Sequence, residues 1–94
     1  MASLCIGTMY HVGQTQGQLV NVTCFLRDDN VDWRRSSPKY PGKIFTDDVK
    51  YIAKQNYLAI RNFSIDDEDI YLCYPRTGGP ALLKFNITIE GNFL

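Results

Sequence analysis

Asp67-Glu68-Asp69-Ile70-Tyr71-Leu72-Cys73 is the stretch on which the fold turns. Side chains on a strand alternate between its two faces. A strand over residues 69–74 therefore puts Tyr71 and Cys73 together on one face. The acidic residues 66–68 before it read as the turn that joins it to the preceding strand. Working outward, the rest of the chain has the same grain. Residues 83–90 alternate most cleanly, with Leu83, Phe85, Ile87 and Ile89 facing in and Lys84, Asn86, Thr88 and Glu90 facing out. Residues 19–26 put Val20, Val22, Cys24 and Leu26 on one face. Val31 and Trp33 share a face, and Leu58 and Ile60 point inward within residues 57–62. Weaker strands are expected over residues 10–14, 43–46 and 49–53.

Turn residues separate these runs every 8–12 positions, which predicts a sandwich or barrel of antiparallel strands. Arg27-Asp28-Asp29-Asn30 is a polar loop. Residues 36–42 contain Pro38, Pro41 and Gly42 and exclude a central strand. Pro75-Arg76-Thr77-Gly78-Gly79-Pro80 is a loop tip. No helical period of useful length, internal repeat or low-complexity segment is present. The 94 residues hold one domain, with residues 1–9 expected as a flexible N-terminal segment.

Ten basic and ten acidic residues balance, which argues against a nucleic-acid binder. No apolar run approaches the ~20 residues of a membrane-spanning helix. Residues 1–10 lack the basic start and long apolar stretch of a signal peptide. An extracellular protein is therefore expected here as a mature fragment, with Met1 an added start. His11 is the lone histidine, expected at the surface, and the three cysteines, Cys5, Cys24 and Cys73, form no metal-ligand spacing. No cofactor or metal is expected, and no nucleophile–base arrangement points to an enzyme. The odd cysteine count leaves at least one thiol free or bonded to another chain. Three N-x-[ST] sequons, at Asn21, Asn62 and Asn86, point to an oxidising secretory environment. The alternative is Asn and Thr on the strands of a cytosolic protein.

The order of these features resembles the immunoglobulin superfamily. Gly17-Gln18-Leu19-Val20-Asn21-Val22-Thr23-Cys24 resembles its strand B, and Trp33 lies nine residues on, where the buried strand-C tryptophan belongs. Leu58-Ala59-Ile60 with Phe63 is similar to strand E. The opening stretch is similar to the D-x-G-x-Y-x-C signature of strand F, with Asp69 in the place of Gly. That position can require positive φ, which Asp tolerates better than most. The resemblance implies an all-β sandwich of two antiparallel sheets with a Cys24–Cys73 inter-sheet disulfide. It also implies structural roles for Trp33, Tyr71 and Asp67, with Tyr71 closing a tyrosine corner. Only 48 residues separate the two cysteines, leaving room for strands C′ and D but hardly for C″. An I-set-like or truncated V-set-like sandwich follows. Cys5 lies before the first sure strand, and its bonding is open.

On this fold strands G, F, C and C′ are neighbours. Ile70, Leu72 and Tyr74 point outward on F, Leu82 and Lys84 on G, and Arg34 on C, while C′ adds Ile44 or Phe45. The expected patch has an apolar centre of Leu72, Tyr74 and Leu82 and a basic rim of Arg34, Arg35 and Lys84. Such clusters mark protein contacts. The Arg76 loop sits where variable domains contact antigen. The partner-binding residues are thus Arg34, Phe45, Leu72, Tyr74, Arg76, Leu82 and Lys84. Glycans on Asn21 and Asn62 would shield the opposite sheet, and one on Asn86 the lower front, toward the far end of G. Arg34-Arg35 otherwise reads as a solvated strand end, and residues 66–69 as a solvated acidic turn rather than a calcium site.

The expected function is extracellular cell-surface recognition or adhesion, with the domain as a receptor ectodomain fragment binding a protein partner by this face. That partner is either another copy, which zero net charge permits, or a different receptor or ligand. The alternative is a secreted or viral decoy domain binding a host immune receptor. A passive spacer module is a weaker alternative.

Overall fold

The computed structural model describes residues 8–90. Seven strands are present among them: β1 (Thr8–Gln14), β2 (Val20–Thr23), β3 (Val31–Arg35), β4 (Tyr51–Lys54), β5 (Tyr57–Ile60), β6 (Asp69–Pro75) and β7 (Leu83–Ile89). They form a front sheet in the order β1-β7-β6-β3 and a back sheet in the order β2-β5-β4. β1 runs parallel to β7, and every other pairing between these strands is antiparallel. The all-β sandwich expected from the sequence is the fold found.

Period-2 alternation builds the core. Val20 and Val22 of β2, Tyr71 and Cys73 of β6, and Leu83, Phe85 and Ile87 of β7 are buried, and the alternate residues within each strand are not. Cys24 and Cys73 are disulfide-bonded across the sheets with a Cα–Cα distance of 6.3 Å. Closing that long loop restricts the unfolded chain by roughly 4 kcal/mol in the entropic view. Trp33 stands opposite Cys73 in the β3–β6 register and is fully enclosed, its ring 5.8 Å from that of Phe85.

The connection between β5 and β6 is anchored by the buried Phe63 and tied by hydrogen bonds. A single 3-10 turn spans Ile65–Asp67. The Ser64 N–H donates to Asp67 Oδ2 at 2.8 Å, and Lys50 Nζ approaches the same oxygen at 2.6 Å. The Tyr71 hydroxyl donates to the Asp67 carbonyl at 2.6 Å, closing the tyrosine corner. Asp67 is buried, so the acidic turn is not the solvated one expected: its carboxylate is consumed internally.

Three further expectations are revised. β1 begins at Thr8, so Thr8 and Met9 belong to a strand rather than to the flexible N-terminal segment expected over residues 1–9; residues 1–7, with Cys5, lie outside the described residues. Asp69 sits in β6 and is not among the non-glycine residues of positive φ, which are Asp48, Gln55 and Asn62. The expected strand over residues 43–46 is reduced to one isolated bridge, Arg34 with Lys43. The cause is a change of sheet. Ile44 N–H donates to the Trp33 carbonyl of the front sheet at 2.7 Å. Two residues later Thr46 Oγ1 accepts from the Ala53 N–H and donates to the Ala53 carbonyl of the back sheet. Phe45 rides at the crossing and is 68% exposed.

Candidate protein-binding face

The outward side of the front sheet is a set of cross-strand rows. Arg34 on β3 pairs with Leu72 on β6, Leu72 with Lys84 on β7, and Lys84 with Met9 on β1. The row on one side of it pairs Asp32 with Tyr74. The row on the other side runs Ile70, Asn86, His11. All these side chains share one parity, because the buried Trp33, Tyr71, Cys73, Phe85 and Tyr10 contacts occupy the other. Leu72 and Tyr74 are half-buried between long cationic neighbours. Lys and Arg stems cover apolar surface while their charged heads stay wet.

Cations gather at the upper end. The Arg34 guanidinium lies 5.8 Å from the Tyr74 ring centroid, within cation–π reach. Asp32 accepts from Arg76 Nε at 3.2 Å and Lys43 Nζ at 3.4 Å. Lys43 Nζ also lies 5.1 Å from the Phe45 ring centroid. A cavity of about 430 Å³ opens between strand and loop, lined by Asp32, Arg34, Tyr74, Arg76 and the Gly78-Gly79 pair. Both glycines have positive φ, and a Cβ on either would meet open space. The turn's backbone, not crowding, calls for glycine there. Asp32 and Lys43 were not singled out in the sequence. Asp32 shares Arg34's parity, which is the signal that finds it; Lys43 enters only through the isolated bridge.

Of the residues expected to bind a partner, Arg34, Leu72, Tyr74, Arg76 and Lys84 come together on this side, and Phe45 stands at its β3 edge. Leu82 does not. It is buried in the core with Ala81 and Leu83. The strand's alternation begins only at Leu83; Leu82 lies in the bend before it, where its N–H donates to the Cys73 carbonyl at 2.7 Å.

Arg35 is not on the rim either. It shares parity with Trp33 and is buried, with Nε 2.9 Å from Asp69 Oδ2 and the Nη2 group donating to the Asp66 carbonyl at 2.8 Å. The Tyr40 ring centroid lies 3.8 Å from its guanidinium carbon. Burial works against the charge, but Tyr71, the Asp69 carboxylate and Tyr51 more than offset it and hold the guanidinium pKa above its ordinary value. Burial likewise pushes the Tyr71 phenol far above the usual range, with Arg35 opposing. This cluster supports the site from beneath and is not part of its surface.

The sequons divide between the sheets. Asn21 is exposed on β2 and Asn62 is exposed just after β5, with φ of 50°. Asn86 is the middle residue of β7, half-buried between Ile70 and His11, with Nδ2 3.3 Å from His11 Nδ1. It stands next to the Leu72–Lys84 row rather than at the far end of the strand. Among the described residues no group of three or more His, Cys, Asp or Glu is placed to hold a metal ion. Among them, too, no helix is long and apolar enough to cross a membrane.

No family model and no curated protein matches the chain. Solved structures do. Drosophila Semaphorin 2a is 26% identical over 94% of this chain, with a TM-score of 0.69, and this chain spans 15% of its length. An Ig-like domain from human cDNA is 15% identical, with a TM-score of 0.64, over all of this chain and 83% of its own. The extracellular domain of the voltage-gated sodium channel beta4 subunit is 9% identical, with a TM-score of 0.68, over 99% of this chain and 94% of its own. That protein's parallel homodimers are connected with a role in cell–cell adhesion. Identities this low speak for the fold. Two sheets, a disulfide between them, an enclosed tryptophan and a tyrosine corner agree with it. The fold of this chain is that of an immunoglobulin-like domain.

Proposed function

We propose that this is an extracellular recognition domain that binds a protein partner through the outward side of β3, β6 and β7. One observation carries the reading. Leu72 and Tyr74 form a half-buried apolar centre of outward parity on the front sheet, and Arg34, Lys84 and Arg76 ring it. An apolar centre with a polar rim is the composition of protein interfaces. Two of the three sequons, Asn21 and Asn62, fall on or beside the back sheet, so glycans there leave the front available. The inter-sheet disulfide suits an oxidising compartment, which favours a cell-surface or secreted location. The adhesion role of the sodium channel subunit supports the same class of function. A secreted or viral decoy would use the same face and is separated from a receptor by the gene that encodes the chain.

The test uses a tetramerised, glycosylated domain against an array of cell-surface ectodomains. Leu72→Asp with Tyr74→Ala is expected to reduce binding at least ~100-fold, as loss of a central hot spot does, without lowering the melting temperature. Lys54→Glu, at the exposed end of β4 on the back sheet, is expected to leave binding unchanged. Equal binding by the front-face variant would overturn the assignment of the face.

A further inference from the structure

The field over this face is lopsided in a way that the whole chain is not. The sequence carries ten basic and ten acidic residues. Around Leu72 and Tyr74, however, stand four cations, Arg34, Lys43, Arg76 and Lys84, and a single carboxylate, Asp32. Asp32 is already engaged by Lys43 and Arg76. The other acidic side chains of outward parity at this sheet, Glu68 and Glu90, lie at the opposite end, Glu68 accepting from the Ile89 N–H at 2.8 Å and Glu90 against Gly13. Among the described residues Arg34 has no ion-pair partner; its neighbour is the neutral Tyr74 ring. Arg34 and Arg76 flank the cavity of about 430 Å³, where the glycine pair leaves the loop side open.

From this charge pattern, and resting on the front-face reading above, we infer that the partner is a different protein with an acidic surface, one of whose carboxylates enters the cavity between Arg34 and Arg76. Two guanidinium groups offer forked donors suited to a carboxylate. Tyr74 supplies a ring wall, and Leu72 an apolar seat for the residue beside the acid. A second copy of this chain fits poorly. A two-fold contact sets the same patch against itself, so centring it on Leu72 brings Arg34 and Lys84 of both copies together. Zero net charge does not relieve that repulsion, because the field that acts at contact distance is local.

The test is NMR of the ¹⁵N-labelled domain titrated with an acetylated, amidated peptide of alternating Glu and Leu, and with its Lys-Leu counterpart. The Glu-Leu peptide is expected to shift the amides of Arg34, Leu72, Tyr74, Arg76 and Lys84. Its affinity is expected to fall about tenfold between 50 and 500 mM salt, as a screened contact does. Arg34→Glu with Arg76→Glu is expected to abolish the shifts at unchanged melting temperature. Leu72→Asp is expected to weaken them. Equal binding of the Lys-Leu peptide, or indifference to charge reversal, overturns the acidic-partner inference. So does a dimer in sedimentation velocity that Leu72→Asp dissolves and salt does not strengthen; that result leaves the front-face reading standing. Shifts confined to the back sheet and insensitive to Leu72→Asp overturn both.

Discussion

Arg35 and Asp69 form a charge pair inside a domain whose thin core leaves little room for error. Their side chains are 4% and 8% exposed. The guanidinium is further held by Tyr51 and the Asp66 carbonyl. Removing one member leaves the other charged, buried and unmatched, whereas removing both leaves no unmatched charge. Arg35→Leu or Asp69→Leu alone is therefore expected to cost about 3–5 kcal/mol in chemical denaturation, and the double substitution much less. Additive losses would show the pair to be uncoupled. A linear reading that treats adjacent arginines as a solvated end misses this residue. Its parity with Trp33 was visible, but its partner lies 34 positions away, where no local pattern points. Asp47 is a second single-residue case. Its carboxylate accepts from the N–H groups of Tyr51, Lys50 and Val49 at 2.8, 2.7 and 3.0 Å. These bonds hold its pKa below the ordinary value. The folded form thus favours the ionised group. Its contribution is whole above the unfolded pKa of about 4 and is lost as pH falls through the lower folded value. Asp47→Asn is expected to lower the melting temperature at pH 7 and to flatten its decline below pH 4; an unaltered acid limb would contradict this.

The strands differ in how openly they announce themselves. β6 and β7 are long, each buries one parity, and each reads directly from alternation. Entry into β7 does not, because Ala81, Leu82 and Leu83 are buried in succession. Leu82 lies in a bend before the paired strand, so parity counted back from Leu83 puts it on the wrong side. Leu82→Ala is accordingly expected to destabilise by about 2–4 kcal/mol, as core truncations do, with Leu72→Ala costing well under half of that. The reverse order in thermal or urea unfolding would return Leu82 to the surface. Residues 43–47 were illegible for another reason. Their backbone serves the front sheet through Ile44 and the back sheet through Asp47, whose N–H donates to the Tyr51 carbonyl at 3.0 Å. A segment shared between two sheets has no period to detect.

At the scale of the molecule, the two sides of the sandwich are unequal. The back sheet presents the Asn21 sequon, opposite Ala59, with Ile52 next in the row. The front presents Leu72 and Tyr74 among cations. The disulfide, the tryptophan and the tyrosine corner could be anticipated from the resemblance that Cys24, Trp33, Tyr71 and Cys73 carry. The surface could be anticipated only as far as parity carried, which gave Arg34, Leu72, Tyr74 and Lys84 and failed at Leu82, while Arg35 has the inward parity of Trp33 and does not belong on the rim. Zero net charge, which left self-association open, concealed the concentration of cations on one side. Asn86 lies within that side, so the open area is its upper end, from the Arg34–Leu72–Lys84 row to the Arg76 loop. The most direct test of that surface is a glycan wedge. Lys84→Asn with Asn86→Thr moves the sequon two residues up β7, onto the row itself. Glycopeptide mass spectrometry checks occupancy, and a melting curve checks folding. On cells that the unmodified tetramer stains, the wedge is expected to reduce staining to background, and Asn21→Gln to leave it unchanged. A folded, fully occupied wedge variant that still stains would contradict the front sheet as the recognition surface.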